Sequence, residues 1–237
     1  MLEPECIYIE NEYGKIAYYE NDEEMVKQKE HNLFFEQEYI INYLKSFVLN
    51  SKVILDIGAH CGSHSMIYKS LNSKSKIYAF EPQTMLYRLL VKNLRSNVHK
   101  SVICLNNAVG NKVGSVEMNS FSTDGSNSYK NISYGGQEMY NLAGIQIGSG
   151  GESAYMVTVD SLFLTGCDFI KMDVEGYEPL VIEGALSTIE KYRPVISYES
   201  NHKTCKESSI SSHELLANLG YECDNVWGDN WIAVPTN

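Results

Sequence analysis

Positive charge is what this chain has least of. Nineteen lysines and arginines stand against thirty aspartates and glutamates in 237 residues, for a formal charge of −11 and a pI near 5.0. No stretch gathers the basic residues into a patch, so a nucleic-acid backbone would be repelled and no nucleic-acid partner is expected. The six cysteines (Cys6, Cys61, Cys104, Cys167, Cys205, Cys223) are scattered singly, with no C-x-x-C pair. That excludes a disulfide framework and a zinc site, and suits the reduced thiols of an intracellular protein. The first thirty residues are acidic and polar, with no basic n-region leading into an apolar one, and no later apolar run approaches the length of a bilayer span. The expectation is a cytoplasmic protein with no membrane insertion. No internal repeat stands out.

With 43% hydrophobic residues, the chain suits one folding unit with a substantial core. Residues 7–19 read as a small hairpin or extended arm. Over 23–49 the apolar residues Met25, Val26, Leu33, Phe34, Ile40, Ile41, Leu44, Phe47 and Val48 fall at roughly helical spacings, which predicts amphipathic helix. From Lys52 onward short apolar runs alternate with helical ones, the pattern of β-α-β units and a mostly parallel sheet. Strands are predicted at 53–57, 76–81, 102–106, 169–173, 195–199, 221–226 and 231–234, and helices at 63–71, 84–96, 178–183 and 211–219. The last two strands flank Gly228-Asp229-Asn230, so they form a hairpin and one of them must run antiparallel to the rest. Between Ser120 and Ser153 the chain turns rich in Gly, Ser, Asn and Tyr, without regular periodicity. This reads as a loop or lid that Tyr129, Tyr134 and Tyr140 could pack. The division expected is an N-terminal arm and helix over 1–50 packing on a domain over 51–237, with the lid inserted at about 120–153.

The stretch VILDIGAHCGSHS, residues 53–65, delivers Asp56 at a strand end and then a turn with Gly58 and Gly62. Glycines let a ligand approach the backbone. No Gly-Lys-Ser/Thr closes the turn and it is not G-x-G-x-x-G, so both phosphate-binding readings lose their main support. Glu81 ends the next predicted strand, about 25 residues on, where an acidic side chain commonly takes ribose hydroxyls. Two carboxylates at such a turn suit a nucleoside with a cationic far end, the form of S-adenosylmethionine; the alternative is that both only cap the helices that follow. His60 and His64 stand four apart, but no third ligand is near in sequence, so no metal is expected.

The fragments LDIGAHCGSHS, YAFEP, NNAVGNKVGSVEM, VTVDSL, DFIKMDVEGYEPLVIEGA and RPVISYE occur in this order. Together they resemble the FkbM family of S-adenosylmethionine-dependent methyltransferases over most of residues 53–199. The resemblance implies the class I methyltransferase (Rossmann-like) α/β fold, a seven-stranded, mostly parallel sheet with an antiparallel last strand and helices on both faces. It implies that Asp56, Gly58, His60, Gly62 and Ser65 belong to the cofactor turn, that Glu81 meets the ribose, and that Asn107 and Ala108 meet the adenine. The family pattern usually carries Asn where this chain has His60.

KMDVEGYE brings Asp173, Glu175 and Glu178 within six residues. On an extended segment Asp173 and Glu175 point to one side, although a turn at Gly176 could rotate the second away. Methyl transfer to an alcohol needs close positioning and a base for the hydroxyl proton. Asp173, Glu175, Glu199 and His202 are the candidates; a first-turn helical role is the alternative for Glu178, and Lys171 is expected on the side away from the cofactor. A divalent ion on Asp173 and Glu175 finds no D-D pair to support it. The function expected is S-adenosylmethionine-dependent O-methylation of a sugar or glycan, by a chain that could be one module of a larger glycan-building protein. The alternatives are a non-catalytic nucleotide- or partner-binding domain and an NAD-dependent oxidoreductase.

Overall fold

The computed structural model describes residues 5–96, 101–123, 128–131, 140–200 and 211–236. The chain opens with a hairpin of β1 (Cys6–Asn11) and β2 (Gly14–Tyr19), followed by the helix Glu23–His31. Asp22 caps this helix by accepting from Met25 N–H, and Asn32 ends it in the left-handed conformation, as C-cap residues often do. The amphipathic pattern over 23–49 is therefore not one helix. It resumes at Gln37–Tyr39, passes through a π-helical turn at Ile40–Leu44 and ends as Lys45–Asn50.

The central sheet has seven strands: β3 (Val53–Ile57), β4 (Lys76–Phe80), β5 (Val102–Leu105), then β9 (Phe169–Met172), β10 (Val195–Glu199), β11 (Tyr221–Trp227) and β12 (Asn230–Pro235). Their order is β11-β12-β10-β9-β3-β4-β5. Neighbours from β10 to β5 are parallel, and β12 is antiparallel to both β10 and β11. Between β5 and β9 the chain builds a second sheet from β6 (Ala108–Val109), β7 (Gly114–Asn119) and β8 (Gly150–Val157), in the order β6-β8-β7. The glycine-rich stretch predicted as loop thus contributes the start of a strand at its end, and that strand runs on into the apolar run Ala154–Val157.

Alternation along the strands sorts the core into two faces. Leu55, Ile57, Ile170, Met172, Ile196 and Tyr198 join one cluster, which is packed against the helices Glu178–Glu183 and Leu186–Tyr192. Ile54, Ile77, Ala79 and Phe169 join the other, together with Tyr18, Met25, Phe34, Tyr39 and Leu44 from the N-terminal segment. Parity puts Asp56, Lys171, Ser197 and Glu199 on this second face. The N-terminal segment therefore roofs the very face that carries the polar strand residues. Among the described residues no helix is long and apolar enough to cross a membrane, and the described cysteines are free thiols.

Candidate functional site

The parallel strands end at one edge, and a solvent-open cleft of about 810 Å³ lies there. Its floor is the turn after β3. Gly58 N–H and Ala59 N–H both donate to the Phe80 carbonyl, which bends the chain across the end of β4. Gly58 has φ +78°, and a Cβ there would stand 1.8 Å from the Asp173 carbonyl oxygen. Only glycine lets β3 and the end of β9 close so tightly. Gly62, at φ +94°, starts the helix Ser63–Leu71.

Glu81 is buried, and its two carboxylate oxygens each accept one backbone bond, from His60 N–H and from Gln83 N–H, both at 2.9 Å. Burial pushes its pKa up to about 7, against the opposing pull of His60. Asn107 and Ala108 line the cleft beyond it, with the Asn107 amide donating to the Tyr155 carbonyl. Asn106 instead pins the end of β4, donating to the carbonyls of Glu81 and Pro82. The lining here is otherwise apolar: Phe80, Pro82, Val109, Met118, Ile145 and Ile147. These last three, with Met25 and Phe35 from the N-terminal segment and the buried Gln83, were not legible in the sequence, because they reach the cleft only through tertiary packing.

Three residues expected at the cofactor do not line the cleft. Asp56 is fully buried, with Oδ2 accepting from Ser65 Oγ at 2.6 Å and Oδ1 3.7 Å from Lys171 Nζ. Asp56 and Ser65 thus brace the turn from below, and Gly62 packs toward Leu90. The expectation for Lys171 is overturned. Its ammonium lines the cleft, donates to the Gly58 carbonyl at 2.8 Å and lies 3.4 Å from Asp173 Oδ2. Burial works against this charge, but Asp173, Asp56 and Glu36 outweigh it and raise the pKa above the ordinary lysine value. Lys171 faces inward because strand parity puts it with Asp56 and Asp173.

His60 contributes its backbone to Glu81, while its ring Nε2 lies 3.2 Å from Asp22; His64 Nε2 lies 3.2 Å from Glu36. Both rings tie the turn to the N-terminal segment. Burial opposes charge on Glu36, yet His64 beside it keeps its pKa lowered.

The far rim is acidic. Asp173 and Glu175 line the cleft, Glu175 in a left-handed conformation at φ +56°. That turn does not carry Glu175 away: one oxygen from each of Asp173, Glu175 and Glu199 lies within 4.8 Å of the other two, a spacing that could also receive a divalent cation. Burial, then the charges of Asp173 and Glu178, push Glu199 up to about 9. Glu178 does not join them; it is buried and accepts from Val174 N–H at 2.9 Å. His202 lies outside the described residues.

Residues 56–224 match the family model described as the methyltransferase FkbM domain. No curated protein matches the chain. Among solved structures, a methyltransferase FkbM from Methylobacillus flagellatus KT aligns at TM-score 0.54 and 16% identity, over 90% of this chain and 55% of its own. The chain thus spans about half the length of that protein. The Escherichia coli protein yhhF aligns at TM-score 0.50 and 12% identity, over 98% of this chain and 100% of its own. An O-methyltransferase from Bacillus cereus, solved in complex with SAH, aligns at TM-score 0.48 and 16% identity, over 84% and 80%.

Proposed function

Because the chain belongs to the FkbM methyltransferase family, with S-adenosylmethionine as its cofactor, we propose that the cleft methylates a hydroxyl of a sugar or glycan. The donor set fits the cofactor. Glu81 offers carboxylate oxygens to a ribose, and the apolar lining that Asn107 and Ala108 share suits a flat base. Gln83 Nε2 donates to the Leu142 carbonyl while its Oε1 is buried without a partner, an acceptor suited to an exocyclic amine. When bound, S-adenosylmethionine supplies an electrophilic methyl group. Asp173, and Glu175 beside it, would attract the ammonium of its amino-acid end or the acceptor.

The observation that carries O-transfer is the convergence of Asp173, Glu175 and Glu199 at the rim. In this reading Asp173 takes the hydroxyl proton, and Lys171, 3.4 Å away, fixes its orientation. Glu199, pushed up to about 9, remains a neutral acid beside it at physiological pH, so the rim holds less negative charge than its composition suggests. The test is a labelled-methyl assay over free deoxyhexoses, glycosides and nucleotide sugars, with Asp173→Asn as control. Transfer to a saccharide oxygen, reduced at least about 100-fold in the variant, is the expected result. Transfer to nitrogen or carbon instead would replace the reading. Calorimetry with S-adenosylhomocysteine and NAD separates it from an oxidoreductase, because only the first should bind.

A further inference from the structure

The row of side chains at the sheet edge continues past the carboxylates. Glu199 is paired with Asn230 on β12, and Asn230 with Trp227 on β11. Between Asn225 and Trp227 the ladder carries a bulge. Along β11, Tyr221 and Cys223 face the helix-covered cluster, and simple alternation would send residue 227 there too. The extra residue, Val226, packs against the other cluster, and Trp227 follows it onto that face. There it stacks on Tyr39, with ring centroids 5.5 Å apart and planes at 21°. Tyr39 is itself fixed by a 2.9 Å hydrogen bond between its hydroxyl and Ser197 Oγ, and the Tyr43 ring lies 6.0 Å from its own.

Tyr39 is buried, yet Trp227 and Tyr43 are each 40% exposed. With one indole face covered by Tyr39, the exposure of Trp227 belongs to its other face and edge. Bulges re-aim side chains and are over-represented at sheet edges and next to active sites. Of the described tyrosines of the 120–153 stretch, Tyr140 is buried and Tyr129, 74% exposed, has its ring 5.7 Å from that of Phe121.

We propose that Trp227, backed by Tyr39 and flanked by Tyr43, is a stacking shelf for a pyranose ring of the acceptor, placing a sugar hydroxyl toward Asp173. This rests on the methyl-transfer reading of the rim. Two strand spacings, about 10 Å, separate the backbones of Glu199 and Trp227, a distance that a saccharide can bridge. The indole face accepts the apolar C–H face of the ring, while the carboxylates take its hydroxyls. The acidic rim also sets the class: a neutral glycoside is accepted, whereas a nucleoside diphosphate sugar brings its phosphates against Asp173 and Glu175.

The test is tryptophan fluorescence of protein saturated with S-adenosylhomocysteine, titrated with methyl α-rhamnopyranoside, methyl β-glucopyranoside, cellobiose, catechol and uridine diphosphate glucose. The expected result is a saturable change with at least one of the neutral glycosides, lost in Trp227→Phe although Trp231 still emits. Trp227→Ala should weaken binding of that glycoside about tenfold, Trp227→Tyr should recover most of it, and cofactor affinity by calorimetry should stay the same. Normal S-adenosylhomocysteine binding with no response to any of the three glycosides overturns the shelf, as does a response confined to catechol or to the nucleotide sugar. Failure of S-adenosylhomocysteine to bind would sink the methyl-transfer reading instead, and the emission change would still decide whether the shelf takes sugars.

Discussion

Lys171 Nζ lies 2.8 Å from the Gly58 carbonyl oxygen, joining the middle of β9 to the turn that leaves β3. The same ammonium sits between Asp56 and Asp173, 3.7 and 3.4 Å away. One buried cation therefore fixes the floor of the cleft to the proposed base. Replacing it with methionine leaves two acidic groups facing one another without compensation. Lys171→Met should lower stability by about 3 kcal/mol, the usual scale for breaking a buried ion pair, and urea unfolding measures it. An unchanged midpoint would mean that the three groups are not coupled.

Gly58 tests the same seam from the other strand. A methyl group there would overlap the Asp173 carbonyl, and φ +78° is unfavourable for any side chain. Gly58→Ala should cost more than about 3 kcal/mol, a fall in melting temperature of roughly 6 to 12 °C in a chain of this size. Gly114→Ala makes the control, since no atom lies within 4 Å of a Cβ built there; its loss should come only from its backbone conformation. Equal losses for the two would remove the close approach from the account.

The contrast between these glycines shows what the sequence could convey. Strand positions on the central sheet followed from apolar runs and turn residues, because both signals are local. The direction of Lys171 was also implicit, since parity with Asp173 puts the two on one face, against the expectation that it lies on the side away from the cofactor. The roles of Asp56 and Ser65 were not separable from sequence: a carboxylate bracing a turn and one touching a ligand occupy the same position in the pattern. Met25, Phe35 and Ile147 were beyond reach for a different reason. They belong to segments whose place over the cleft is set by packing between remote parts of the chain, which no local pattern of residue types reports. Trp227 turned on one inserted residue in a ladder, which no periodicity reveals.

Glu81 gives a prediction about protons as well as affinity. Its pKa stands at about 7 because it is buried. Accepting hydroxyls from a ribose favours the ionised form, so binding should release protons near pH 7 and affinity should rise with pH up to about 7, then level off. Calorimetry of S-adenosylhomocysteine in buffers of different ionisation enthalpy reads the release directly. Glu81→Gln should weaken binding about tenfold or more and abolish the proton release. A release that survives the substitution would have to come from another group.

The pH dependence of stability follows from the acids that the fold keeps neutral. Burial raises Glu81 and Glu178 to about 7, with backbone bonds opposing it in both, and raises Glu199 to about 9 together with the charges of Asp173 and Glu178. An acid whose folded pKa lies above its unfolded value stabilises the fold below the unfolded value. That contribution is lost as pH rises through the folded one. Glu36 and Asp160 run the other way: burial opposes them, but His64 for the first and Thr188 with Ser187 for the second lower their pKa values. Their contribution is present above the ordinary carboxylate range and lost on acidification. The melting temperature should therefore peak near pH 5 and decline toward pH 9, steeply up to about pH 7, where all three raised carboxylates contribute, and more gently above it, where only Glu199 does. Glu178→Gln keeps an oxygen to accept from Val174 N–H while removing the titration, so it should make the fall between about pH 5 and pH 7 shallower by roughly 3 kcal/mol, on the scale of about 1.4 kcal/mol per pKa unit, and leave the shares of Glu81 and Glu199. Glu199→Gln should abolish the decline between pH 7 and pH 9 and leave below it the shares of Glu81 and Glu178. A melting temperature that climbs steadily from pH 5 to pH 9 would show that these three carboxylates are not held neutral, and with them would go the low charge assigned to the rim that receives the acceptor.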